Sequence, residues 1–325
     1  MVKRKGIATS SHICVFDYFR VPETKTLRPA THLANRIFRG RMNDSSSTKP
    51  VVLVAITGIA LGVMAMILSV MIVMGFRNQI TGKVTGFMAH IRIHKFDTNN
   101  SFEEEPVKLT QEFVSKIAAM PEVKRVQPYA YKACIMQSKD EIQGIVLKGF
   151  HNSSDLSYFS SKLVAGHMPV MNDSVNTEVL VSKTTAQKLQ LKAGDSFLVY
   201  FIQKDRKVRK LTATGIYNTG LSEEFDNLYL LCNLSLIQRV NNWDNDQAGG
   251  YEVFLKSIDD LPTVAPKVYA SAGFAFNTQT IQEQYPQLFN WLELQNLNMV
   301  VILSLISLIA GITMISTLLI LVLEN

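Results

Sequence analysis

The sequence predicts a membrane protein: two transmembrane α-helices joined by one large α+β domain. Three observations lead there. Val51–Phe76 and Met299–Leu323 are long apolar runs without a charged residue. The surplus of positive charge is confined to the segment before the first run. Between the runs, strand-like alternation and helix-like periodicity take turns.

Residues 1–50 carry ten basic residues against three acidic ones, a balance of +7 in a chain of net charge +6. The high isoelectric point therefore belongs to this tail and not to a folded basic face, which argues against nucleic acid as a partner. Basic residues just before a transmembrane helix mark the cytoplasmic side, so the tail is expected inside the cell. Within it, Leu33, Ile37 and Phe38 recur at helical spacing among Arg36, Arg39 and Arg41, the pattern of a short amphipathic helix lying on the inner membrane surface. Asn43–Pro50 is a polar linker.

The first apolar run would span about 39 Å as a helix, more than the roughly 30 Å of a bilayer's hydrocarbon core, so it crosses with some tilt. It starts too late and runs too long for a cleaved signal peptide. Gly58 and Gly62 form a small-residue pair that would let another helix approach closely. Met71, Met74 and Phe76, at its outer end, are candidates for contact with lipid or an acylated ligand.

Residues 77–297 read as the outer domain. A strand over His90–Lys95, a helix over Leu109–Met120 and a strand through VKRVQPYAYKACIMQ make one β-α-β unit. Tyr251–Ser257, Ile258–Ala270 and Ala275–Thr280 make a second. A mostly-β insertion, about residues 131–249, separates them, giving a split α+β domain with an inserted subdomain. The insertion holds a helix at Lys183–Leu189 and a charged hairpin tip at Gln203–Lys210. Glu103, Glu104 and Glu105 read as a solvated acidic loop.

The second transmembrane helix occupies residues 298–323, with Trp291 placed as an interfacial anchor and Ser307 and Gly311 as a second small-residue pair. The two helices are expected to continue beyond the membrane into the domain as a stalk.

Chemistry-bearing motifs are few. GFRNQITGKV fails as a phosphate loop: a glycine is required where Arg77 stands, and a Ser or Thr where Val84 stands. His90 and His94 could share a strand face, but no cysteine or carboxylate accompanies them at ligand spacing. No cofactor or catalytic motif is present. Neither apolar run holds a charge, which speaks against a proton-coupled transporter. Cys134 and Cys232 fall on the same side and could pair, but nothing in their spacing requires it, and two buried free thiols are the favoured reading; Cys14 falls on the other side of the membrane.

The segments ITGIALGV, VMGFRNQITGKVTGFMAHIRI and GIYNTGLSEEFDNLYLLCNL resemble the bacterial ABC-transporter permeases of the lipoprotein-releasing (LolC/LolE) family, within the broader FtsX-like and MacB-type permeases. The resemblance covers residues 30–325. It implies a multi-pass protein of the bacterial inner membrane with a cytoplasmic N-terminus and a periplasmic domain. It further implies a separate cytoplasmic ABC ATPase dimer, a second permease subunit alike or different, a lipoprotein substrate and a periplasmic carrier. Such permeases carry four transmembrane helices, so a chain ending at Asn325 is expected to be a fragment, a truncated frame or half of a split permease. The short, proline-free tip at Gln203–Lys210 favours a lipoprotein-binding over a carrier-binding subunit, or a relative with another substrate. FtsX-like regulation of a periplasmic partner and MacB-like efflux are the alternatives.

Overall fold

The computed structural model describes residues 48–96, 102–108, 110–138, 141–171, 176–201, 207–221 and 223–323. The amphipathic segment around Leu33, Ile37 and Phe38, Cys14, and residues 203–206 of the expected hairpin tip lie outside them. Met64–Ser307 forms one compact unit; the stretches up to Val63 and from Leu308 form another.

The elements in order are α1 (Thr48–Phe87), β1 (Ile91–Lys95), α2 (Gln111–Ala118), β2 (Val123–Gln137), β3 (Ile142–Phe150), α3 (Ser157–Ser160), β4 (Leu163–Gly166), β5 (Glu178–Ser182), α4 (Lys183–Lys188), β6 (Ser196–Phe201), β7 (Lys207–Tyr217), α5 (Glu223–Asp226), β8 (Tyr229–Asn233), α6 (Leu234–Asn241), β9 (Gly250–Leu255), a 3-10 turn (Ile258–Asp260), α7 (Leu261–Ala272), β10 (Phe276–Thr280), α8 (Ile281–Gln284) and α9 (Pro286–Leu323).

Both long helices are apolar on all sides, with Leu61, Leu68 and Ile72 of α1 and Leu305, Leu308 and Ile312 of α9 exposed. In water such surfaces would associate; in hydrocarbon they are the solvent-matched state, and the helix satisfies its own backbone there. Ile56–Phe87 and Pro286–Ser316 are long and apolar enough to cross a membrane. The first helix does not stop where the apolar run does at Phe76. It continues for three turns to Phe87, and Val84 and Phe87 are wholly buried in the domain.

Two β-α-β units, β1–α2–β2 and β9–α7–β10, interleave their strands in the order β10-β1-β9-β2, every neighbour antiparallel. This is the split arrangement the sequence predicts. Local signals set the ends: Thr110 caps α2 through Phe113 N–H, and Thr280 and Glu283 form a reciprocal capping box at α8.

The inserted segment closes on itself. β2 pairs with β3, β3 with β8, β8 with β5, β5 with β7 and β7 with β6; β6 returns to β2 through Ile135–Gln137 opposite Leu198–Tyr200. The result is a six-stranded barrel, which leaves these strands no open edge. Period-two alternation sends Cys134 and Met136, Leu230 and Cys232, and Phe197 and Val199 inward, giving the barrel its own apolar core. β2 is one strand throughout, its first half in the open sheet and its second in the barrel.

One expectation is corrected. Glu104 is not in a solvated loop: it is buried, its carboxylate accepting from Tyr131 N–H at 3.1 Å. Its neighbour Glu105 pairs with Lys95 at the surface, while the half-exposed Glu103 pairs with the buried Lys132.

Candidate functional site

Strand alternation divides the open sheet into two faces. Ile91 and Ile93 turn to one side with the buried residues of α2 and α7, Ile117, Val264 and Val268. Arg92 turns to the other, beside Glu252 on the neighbouring strand. Gln127 follows across the next strand, and Tyr131 lies opposite Lys148 on β3. A row of polar side chains thus crosses the face on which α1 ends.

Lys148 and Glu252 are both fully buried and paired at 2.7 Å. Glu252 also accepts from Gln127 Nε2 at 3.2 Å, and Lys148 Nζ donates to the Phe87 carbonyl at 3.1 Å. That carbonyl belongs to the last turn of α1, whose acceptors have no partner within the helix and sit at the negative end of its dipole. Burial pulls the Lys148 ammonium below the usual lysine range, while Glu252 works to keep it charged. Two more bonds fix the same helix end: Tyr158 Oη donates to Lys83 O at 3.0 Å, and Lys83 Nζ to Gly220 O at 3.0 Å. Around them, Phe87 packs against Phe159, Phe225 and Tyr229 at centroid distances of 5.4, 5.9 and 5.5 Å. The end of the first membrane helix is therefore built into the centre of the domain.

Beside this junction lies a cleft of about 360 Å³, lined by Arg92, Phe102, Glu104, Tyr131, Leu228, Tyr229, Gln284 and Tyr285, with His94, Lys95, Glu105, Gln279 and Glu283 completing its wall. Its volume falls within the ordinary range for ligand pockets. Arg92 is only 16% exposed, and Glu104 only 7%. The guanidinium lies over the rings of Tyr129 and Tyr131, 5.6 and 5.3 Å from their centroids. The nearest carboxylate oxygen, Glu104 Oε1, stands 4.0 Å away, beyond hydrogen-bonding distance. Burial raises the Glu104 carboxyl to about 6, against the pull of Arg92 and the Tyr131 N–H.

The residues singled out from sequence fall elsewhere. Apart from their own helix backbone, nothing among the described residues lies within 4 Å of where a Cβ would sit on Gly58, Gly62 or Gly311, and Ser307 is exposed. Met71 and Met74 are exposed, while Phe76 meets Trp291 edge-on at 5.6 Å. His90 and His94 have separate partners: His90 Nδ1 accepts from Leu255 N–H at 3.3 Å, and His94 Nε2 lies 3.4 Å from Asn277 Nδ2. No metal-holding group of three or more His, Cys, Asp or Glu occurs among the described residues. Cys134 and Cys232 are free thiols inside the barrel, Cys134 pushed up to about 12 by burial. Lys83, the lysine of the rejected phosphate-loop pattern, is helical.

Sequence reasoning missed Arg92, Glu104, Lys148 and Glu252. The available signal was a charge at an apolar position of a strand, as in GIVLKGF and GYEVFL.

The family model described as MacB-like periplasmic core domain matches residues 52–294. The chain is similar to the lipoprotein-releasing system transmembrane protein LolC of Buchnera aphidicola subsp. Schizaphis graminum, with 24% identity over 64% of this chain and 51% of that one. It is also similar to the LolC protein of Neisseria meningitidis serogroup B, with 22% identity over 85% and 66%. The chain thus spans between half and two thirds of these relatives' length. Among solved structures it is similar to the periplasmic region of MacB from Actinobacillus actinomycetemcomitans: TM-score 0.41, 13% identity, 64% of this chain and 95% of that one.

Proposed function

The chain belongs to the family of the MacB-like periplasmic core domain, and on that premise we propose that it serves as a permease subunit of a bacterial ABC transporter that releases lipoproteins from the inner membrane. In this reading residues 1–50 are cytoplasmic, the α+β domain is periplasmic, and a separate ATPase dimer supplies the energy. A second permease subunit completes the membrane part.

The observation that carries the reading is the unbroken course of α1 into the domain. Its last turn is held by Lys148, Tyr158 and the aromatic cluster on Phe87. A helix seated in this way cannot be displaced without moving the sheet it is bonded to, because packed interiors do not deform continuously. At the other end of the sheet, β10 passes through the Thr280–Glu283 capping box directly into α8 and then α9. Both helices therefore connect to the same four-stranded sheet, an arrangement suited to carrying motion between membrane and domain. The demand for energy is physical: each buried methylene of an acyl chain is worth about 0.8 kcal/mol, so drawing an acylated protein from the bilayer needs an external source of work.

Two measurements test this. Single cysteines placed at Ser153 and Thr263, labelled in intact spheroplasts by a membrane-impermeant maleimide, are expected to react without lysis; reaction only after lysis overturns the orientation. A photo-crosslinking residue at Met71 or Met74 is expected to capture acylated lipoproteins, with an ABC ATPase co-purifying. Capture of a wall hydrolase in their place would favour the regulatory alternative.

A further inference from the structure

We propose that the cleft beside the α1 junction is a binding site for a carboxylate carried on an apolar body, with Arg92 as the residue that holds the carboxylate. The inference stands on the cleft's own chemistry and does not rest on the transport reading.

Arg92 carries the argument. A guanidinium has five N–H donors in a fixed planar fork and is charged at any pH a protein tolerates. Buried arginines normally spend those donors; Arg92 makes no hydrogen bond to any described residue. What surrounds it orients the group without satisfying it. Tyr129 and Tyr131 offer ring faces, and Glu104 stops at 4.0 Å. The planar fork matches one partner best, a carboxylate approached edge-on through two parallel bonds. An apolar and aromatic part of the wall comes from Phe102, Leu228, Tyr229 and Tyr285, beside the polar side chains of His94, Gln279 and Gln284 and the charged ones of Lys95, Glu105 and Glu283. A volume of about 360 Å³ accommodates such a body as well as its head group.

Charge balance adds a feature. Along the cleft Arg92 and Lys148 stand against Glu104 and Glu252, and the buried Lys132 is balanced by Glu103. At the rim Lys95 pairs with Glu105, and Glu283 accepts from Thr280 N–H at 2.7 Å. An incoming carboxylate would leave one negative charge too many. Glu104 removes it by taking up a proton: it faces Arg92, Tyr129, Tyr131, Lys148 and Glu252, and its carboxyl already stands near 6. The protonated acid keeps its bond from the Tyr131 N–H while the ligand takes over Arg92.

Free fatty acids and the C-termini of polypeptides share this chemistry, and the test separates them. The full chain in lipid nanodiscs is titrated calorimetrically with octanoate and with N-acetyl-glycyl-phenylalanine, each against its uncharged amide, with empty nanodiscs as the blank, at pH 5.5 and 7.5. At least one acid is expected to bind at one per chain, tenfold or more tighter than its amide, and tighter at the lower pH. Binding of octanoate alone assigns the site to fatty acids, of the peptide alone to chain ends; both together support the shared chemistry. Arg92→Gln is expected to abolish binding. Leu228→Trp, which fills the cleft without touching the charged row, is expected to do the same and decides the matter if the arginine variant does not fold. Amides that bind as well as acids, acid binding that survives Leu228→Trp, or no binding of either acid overturns the proposal. Equal affinity at the two pH values overturns the proton step.

Discussion

Replacing Lys148 by methionine removes one member of a pair from which water is excluded on both sides. Methionine fills a similar volume, so the packing around Phe87, Tyr131 and Phe150 is largely kept. What changes is that Glu252 is left as a buried carboxylate with only Gln127 to bond it, and the Phe87 carbonyl loses its donor. Breaking a buried pair from one side costs roughly 3–5 kcal/mol. For a domain of this size, at about 2–4 °C per kcal/mol, the melting midpoint should fall by roughly 6–20 °C. The second variant is the more informative. Lys148→Met with Glu252→Gln has no stranded charge, and the glutamine carbonyl can still accept from Gln127, so most of the loss should return. Intrinsic fluorescence melts in nanodiscs at one fixed scan rate read both. Were Lys148→Met to melt within a degree or two of the parent, or the double variant to melt no higher than the single one, the pair would not be holding the end of α1 as described.

Further outcomes follow from other sites. His90 is held neutral, its imidazole lowered to about 4 by burial and by Arg125 and Lys124. Its share of stability is whole above about 6.5 and is lost as pH falls toward 4, amounting to about 3 kcal/mol; a His90→Asn variant should flatten that acid limb in a series of melts. Glu104 has the opposite sign: raised to about 6, it favours the fold below its unfolded value and costs stability as pH rises through 6. Glu104→Gln should therefore stabilise the chain at pH 7.5 by about 2 kcal/mol and make no gain at pH 4.5. A Cβ on Gly250 would stand 2.3 Å from the Ile93 carbonyl and 2.9 Å from the Tyr129 ring, so Gly250→Ala should cost about 3 kcal/mol by overpacking. The control is Gly144→Ala, where a Cβ meets nothing within 4 Å and little change is expected.

The two long helices and the split β-α-β units were readable because each is a local pattern: an uncharged run or a period. The α1 helix outran its apolar run because nothing in RNQITGKVTGF breaks a helix; the signal for its end is the burial of Val84 and Phe87, a tertiary fact. Barrel closure depends on Ile135 meeting Tyr200, a pairing between distant strands that alternation alone does not specify. The cleft was hidden by its composition. Three successive glutamates look alike in sequence, yet only Glu104 turns inward, and Arg92 in IRIHK looks like any solvent-facing strand residue. Lys148 and Glu252 were each visible as charges inside apolar strands, but which charge answers which is decided by the strand order β9-β2-β3.

The 15-residue strand β2 has two owners, the open sheet at Val123–Tyr129 and the barrel at Ile135–Gln137. Its side chains alternate without interruption between them, so a slip of one position would turn both pieces inside out together. The barrel is thus spliced to its host along a common thread rather than hung from a tether, and it cannot swivel as an independent module. Lengthening the far loops leaves that splice untouched. A single residue added near Lys132 would not, and of all the places to lengthen this chain it is the one where both halves would fail at once.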